Sequence, residues 1–208
     1  SLDLSNFSTG DVEDMHAMFS NDKSLEKITF SDKFNTEFVQ DMQEMFYSCS
    51  SLESLSLPGF DTQNVKNMNK MFAYCSSLTS LDLSEFMTDN VETMEQMFHS
   101  CKKLTSIDLS EFDTYEVTRM DDMFGFCSSL KYLDLSSFET NSVINMMDMF
   151  YSCESLTSIK LNNLDVSSVT NTARMFYNCK SLVSLDLSNF DSKYVNRMDE
   201  MFSGCSSL

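Results

Sequence analysis

The chain has 208 residues and carries 32 acidic against 14 basic side chains, a net charge of −18. That excess excludes bulk nucleic-acid binding, which needs basic side chains to displace counterions from phosphate, and docking on anionic lipid. No apolar run approaches the roughly 18 residues of a membrane span, so no direct membrane insertion is expected, and 4 Gly with 1 Pro are too few for a Gly-looped enzyme or a turn-rich sandwich.

The chain opens on Leu2-Asp-Leu4…Phe7, and the same phrase returns to the end. It recurs as Leu25…Ile28-Thr-Phe30…Phe34, Leu52…Leu55-Ser-Leu57…Phe60, Leu78…Leu81-Asp-Leu83…Phe86 and Leu104…Ile107-Asp-Leu109…Phe112. Three more copies follow: Leu130…Leu133-Asp-Leu135…Phe138, Leu156…Ile159-Lys-Leu161…Leu164 and Leu182…Leu185-Asp-Leu187…Phe190. The period is 26, with one extra residue between Phe30 and Phe34, and 208 is eight times 26. A fixed period of this size marks a solenoid. Eight units are expected, beginning near 1, 25, 52, 78, 104, 130, 156 and 182, in a single solenoid over 1–208. With no terminal cap in the pattern, the chain reads as an uncapped excerpt of a longer array.

Within each unit the alternation Leu-x-Leu suits a short strand with one buried face. The second half, as in Val65-x-x-Met68-x-x-Met71-Phe72-x-x-Cys75, places apolar residues at helical spacing. It predicts a helix of about three turns, and Asp61-Thr62 supplies side chains that cap free N–H groups. The expected fold is therefore an α/β solenoid: a leucine-rich-repeat right-handed coil with one short parallel strand and one helix per 26-residue unit.

The combined pattern, Leu-x-x-Leu-Asp-Leu-Ser-x-Phe-Asp-Thr followed by Val-x-x-Met-x-x-Met-Phe-x-x-Cys, resembles the BspA-like leucine-rich-repeat surface proteins. The resemblance covers all eight units; units 1, 2 and 7 depart most, at Asp22, near Asp32-Lys33, and at Leu164 and Thr172. It implies a cell-surface or secreted protein that serves in adhesion and partner binding, with no catalytic residues.

The residues themselves point to no enzyme. His16 and His99 lie in different columns with no nucleophile or ligand set, and there is no Gly-x-Ser-x-Gly elbow or Gly-rich phosphate loop. The Met columns answer the demand of a core, and the Cys residues, one per unit and never Cys-x-x-Cys, suit buried free thiols. The Thr column (Thr9, Thr36, Thr62, Thr88, Thr114, Thr140) suits helix capping. An aromatic column, Tyr47, Tyr74, His99, Phe126, Tyr151 and Tyr177, is a second possible contact strip beside its simpler reading as packing between units.

The outward strand rows carry the candidate partner-binding face: Ser80, Asp82, Ser106, Asp108, Tyr132, Asp134 and Asp186. Small Ser neighbours leave room for a partner, Tyr132 is the contact hot spot by residue type, and the acids are either solvated charge or ligand-facing. No cofactor is expected; a calcium ladder along the acids is the one metal option. The functional expectation is a non-enzymatic extracellular protein-binding or adhesion array with an acidic concave surface. Its partner would be a protein ligand on a host or neighbouring cell surface, and the alternative is a self-associating spacer or assembly unit of a surface layer or filament.

Overall fold

A computed structural model describes all residues, 1–208. Strands form in six of the eight units, where the Leu-x-Leu alternation places them, and units 5 and 8 form none: β1 (Leu2–Asp3), β2 (Ile28–Thr29), β3 (Ser54–Leu55), β4 (Ser80–Leu81), β5 (Tyr132–Asp134) and β6 (Ser158–Lys160). They pair in parallel as β1 with β2, β3 with β4 and β5 with β6, each residue opposite its equivalent in the next unit. The ladder breaks between β2 and β3, where the extra residue of the second unit must be absorbed. There Phe30, Phe34 and Phe60 cluster with ring centroids 4.7–5.5 Å apart. Gly59, at φ +78°, lies so close that an added Cβ would meet the Phe34 carbonyl oxygen at 3.1 Å.

The predicted helices do not form. The second half of every unit is instead a run of tight turns joined to the next coil. In the third unit Met71, Ala73 and Cys75 donate backbone N–H groups three residues back, to Met68, Lys70 and Phe72. The intervening Lys70, Phe72 and Tyr74 donate forward to the carbonyls of Glu95, Met97 and His99 one coil on, at 2.7–3.0 Å. A line of parallel bridges, Asp14–Asp41–Asn67–Thr93–Arg119–Asn145–Asn171–Arg197, therefore crosses all eight units. The more continuous ladder lies on the side that the sequence assigned to helices. Only 3 of 103 backbone hydrogen bonds lie within strand pairs, so turns and the inter-coil bonds outside the strands hold the array together.

Two residues per unit exclude the helix. The residue before the second Met and the residue before the Cys position are left-handed, as at Lys70 (φ 56°) and Tyr74 (φ 62°), or Glu44 and Ser48. Spacing explains why this arrangement is preferred. Packed helices need roughly 8–10 Å between axes, whereas hydrogen-bonded coils repeat at about 4.8 Å. The stacked Phe rings of successive units lie 5.2–5.8 Å apart, which fits the bonded coils. Ser48→Gly tests the assignment by its sign. In a helix interior it would destabilise; at φ 62° it should stabilise by about 1 kcal/mol, read as a rise in the urea midpoint.

One continuous core runs the length of the array. Phe46, Phe72, Phe98, Phe124, Phe150 and Phe176 form a fully buried stack, flanked by the Val, Met, Leu and Cys columns. The seven cysteines are free, six of them buried. Each thiol donates to the carbonyl of the Phe one coil back, at 2.9–3.2 Å (Cys75 to Phe46, Cys101 to Phe72). Burial pushes the Cys49, Cys127 and Cys179 thiols up to about 12, leaving almost no thiolate at neutral pH. Native-state labelling with a thiol reagent at pH 8 should therefore modify half-buried Cys205 first, with the other six reacting only on unfolding.

The Thr column is buried but caps nothing. Each Oγ1 donates to a backbone carbonyl of the next coil: Thr36 to Asp61, Thr62 to Met87, Thr88 to Asp113 and Thr140 to Asp165, at 2.6–2.8 Å. These hydroxyls are rungs between coils, which corrects the helix-cap reading. Unit 7 departs as its sequence does: Val166 replaces the Thr, and Thr172, in the first Met position, is fully buried with its hydroxyl 3.2 Å from the Arg197 carbonyl oxygen.

Candidate functional site

The strand face carries the predicted rows. Ser80, Asp82, Ser106, Asp108, Tyr132 and Asp186 are exposed and Asp134 is half-buried. Four of them, Ser106, Asp108, Tyr132 and Asp134, come together with Ser110, Ser136 and Ser137 around an open groove of about 590 Å³ between units 5 and 6. Asp82 lies in a smaller recess of about 410 Å³ with Glu85 and Pro58, and Asp186 lines another near Asn162 and Asn189, so the face is a row of small recesses.

Each aspartate of the row has a local structural duty. Asp82, Asp108, Asp134 and Asp186 accept the N–H of the Ser two residues on, at 2.9–3.1 Å, closing the turn that follows the strand. The Ser84 and Ser188 amides hold the Asp82 and Asp186 carboxyls below the usual carboxylate range. One oxygen of each carboxylate is thus committed to the fold, and in Asp82, Asp108 and Asp186 the second oxygen accepts no hydrogen bond from the chain.

Asp134 is the exception, because its second oxygen is filled. Lys160 Nζ lies 2.7 Å from Asp134 Oδ2, the Tyr132 hydroxyl donates to the same oxygen at 3.0 Å, and the ammonium sits 5.8 Å from the Tyr132 ring centroid. The Lys160 contact, with the Ser136 hydrogen bonds behind it, holds the Asp134 carboxyl well below its ordinary range. The pair is exposed and screened, so its value to stability is small. Its value as a template is greater, since it records how this face seats an ammonium.

A second polar network occupies the bridge side, and the sequence did not signal it. Arg119 grips Asp121 with two bonds of 2.9 Å and reaches Glu95 at 3.2 Å, while Arg174 contacts Asp148 at 2.7 Å. Buried His99 places Nδ1 2.9 Å from Asp122 Oδ2, off the line of a hydrogen bond. Burial, the first cause, raises the carboxyls of Asp148 and Glu95, with neighbouring acids adding to both. An acid whose folded value is raised binds its proton more tightly in the folded state. Stability gained from it appears as pH falls through that value and is lost as pH rises above it. Wild type should thus gain on Asp148→Asn as the pH is lowered from 7 towards 4.5, compared by urea midpoints.

Beside this network the aromatic column is continuous. Tyr47, Tyr74, His99, Phe126, Tyr151 and Tyr177 touch in sequence with ring centroids 4.8–5.4 Å apart. The rings thus pack between units, while Tyr74 and Phe126 stay 40% exposed. No set of three or more His, Cys, Asp or Glu side chains is placed to hold a metal ion. No helix is long and apolar enough to cross a membrane.

Among solved structures, the chain is similar to a leucine-rich-repeat protein of T. pallidum, with 22% identity, 80% of this chain and 69% of that chain covered, and a TM-score of 0.52. It also aligns with a leucine-rich-repeat protein of Eubacterium ventriosum at 19% identity, over 88% of this chain and 37% of that one, TM-score 0.39. A leucine-rich cell-surface protein of Faecalibacterium prausnitzii aligns at 19% identity, over 91% and 67%, TM-score 0.37. A comparison with curated proteins gives no match. The first of these likenesses establishes the leucine-rich-repeat fold, and the BspA-like resemblance of the motif is borne out. One family model matches over residues 1–107, 25–131 and 102–208, windows that together span every unit described above. The chain belongs to the family described as "Mycoplasma protein of unknown function, DUF285".

Proposed function

We propose that this chain is a non-enzymatic protein-binding array that works at the cell surface, with its strand face as the binding face. The observation that carries the reading is the groove between units 5 and 6. There an exposed Tyr132, two aspartates and four serines converge on a face that the fold otherwise repeats coil after coil. A rigid row of similar recesses suits a partner that makes many modest contacts, so that avidity supplies strength. Adhesion is the role that the BspA-like resemblance adds. The bridge side is laddered from coil to coil along the whole array and the strand side only in pairs, and the proposal requires a regular face and not a concave one.

The test is binding of the immobilised chain to a panel of matrix, serum and cell-surface proteins at physiological salt, with and without calcium. Saturable binding that the double variant Asp108→Lys, Asp134→Lys abolishes supports the strand face. Calcium dependence would bring the ion ladder back. Silence across the panel overturns the reading in favour of a spacer or assembly unit.

A further inference from the structure

We infer that the groove between units 5 and 6 seats an extended, lysine- or arginine-bearing segment of a protein partner, with the cation placed on Asp108. The inference rests on the proposed binding face and names what that face takes.

Three observations carry it. The first concerns backbone. The stretch Ser106–Asp108 lies where its neighbours Ser80–Leu81 and Tyr132–Asp134 are strands, yet it forms no strand. None of its three residues exchanges a backbone hydrogen bond with the coils on either side. The links beside it are the Lys131 N–H to the Thr105 carbonyl, at 3.4 Å, and the Ser137 hydroxyl to the Leu109 carbonyl, at 3.1 Å. The coil-to-coil ladder therefore lapses beside the groove, and the small recesses that repeat from coil to coil along this face suit an extended segment laid across them. The second is Asp108 itself. Its Oδ1 accepts the Ser110 N–H at 3.0 Å, and no basic side chain pairs with it. The third is the occupied copy one coil on, where Lys160 holds Asp134 and lies near the Tyr132 ring. Position 108 offers the same carboxylate in the same turn, with the equivalent of Lys160 replaced by Asp134, so the cation must come from outside. The chain's net charge of −18 favours approach of a basic segment.

The probe is a fluorescein-labelled peptide alternating Lys and Ser, read by anisotropy at physiological salt, with the Glu-Ser peptide as control. Asp108→Asn keeps the oxygen that accepts Ser110 N–H, so the turn survives while the charge is removed. It should weaken the Lys-Ser peptide by about tenfold, the loss of one charge-assisted contact. Glu116→Gln, an exposed acid of the same unit away from the groove, should change binding by less than about twofold. Tyr132→Ser should also weaken binding.

Equal losses in Asp108→Asn and Glu116→Gln would overturn the inference, because the chain would then read only diffuse charge. No saturable binding of the peptide would overturn it too. The protein panel keeps the two readings apart. A panel protein that binds wild type and Asp108→Asn alike sinks the groove inference and leaves the binding face standing. A silent panel with a peptide that binds as described does the reverse.

Discussion

Phe98→Ala should lower stability by about 3–5 kcal/mol, the range for truncating a fully buried aromatic ring. Phe98 is 0% exposed and stacks between Phe72 and Phe124, with centroids at 5.8 and 5.5 Å and planes within 17° of parallel. Its carbonyl also accepts the Cys127 thiol at 3.2 Å, so the ring and its backbone tie three successive coils. Little can collapse into the space, because the flanking rings are held by their own coils. In a linear array each unit touches only its neighbours, so a defect at unit 4 separates two halves that keep their own contacts. Denaturant unfolding should therefore show a lower midpoint and a broader transition. A loss below about 1 kcal/mol would mean that the stack contributes little and that the inter-coil ladders carry the array.

Thr62→Val should cost about 1–3 kcal/mol, although it preserves shape and adds apolar surface. The Thr62 side chain is fully buried, and its Oγ1 both donates to the Met87 carbonyl and accepts the Met87 N–H, each at 2.8 Å. Valine leaves a donor and an acceptor of the next coil without partners in the interior. The location of the damage is the sharper readout. Loss of a helix cap would speed hydrogen exchange in residue 62's own unit, at Val65 and its neighbours. Loss of an inter-coil rung speeds it at Met87, one coil away. Exchange that rises only around Val65 would refute the rung.

The two substitutions separate what was legible in the sequence from what was not. The 26-residue period, the eight-fold recurrence of Met-Phe and the Leu-x-Leu alternation are one-dimensional signals that survive any choice of local backbone. They were enough for a solenoid with a continuous Phe, Met and Leu core and short parallel strands. The face was legible for the same reason. Alternation decides which side chains point outward, and Ser80, Asp82, Ser106, Asp108, Tyr132 and Asp186 are exposed, with Asp134 half-buried. The buried free thiols followed from one Cys per unit in a parallel column.

The helix was misread because its evidence was ambiguous. Val65, Met68, Met71, Phe72 and Cys75 fall at helical spacing, but consecutive three-residue turns bring the same positions inward. Glycine usually signals left-handed residues, yet here 15 non-glycine positions adopt positive φ. The cost of roughly 1–2 kcal/mol at each is offset by hydrogen bonds from the next coil, which no single unit's sequence reveals. The Thr column was misread as a consequence, since an N-cap needs a helix.

The sequence by itself thus determined the period, the core columns and the outward rows, because these depend only on which residues recur and at what spacing. Only the tertiary structure decided that turns replace helices, that Thr hydroxyls and Cys thiols bond across coils, and that the strand ladder lapses at Ser106–Asp108 to open a groove beside Tyr132. Each of these depends on the partner one coil away, and the stacking of coils alone supplies it.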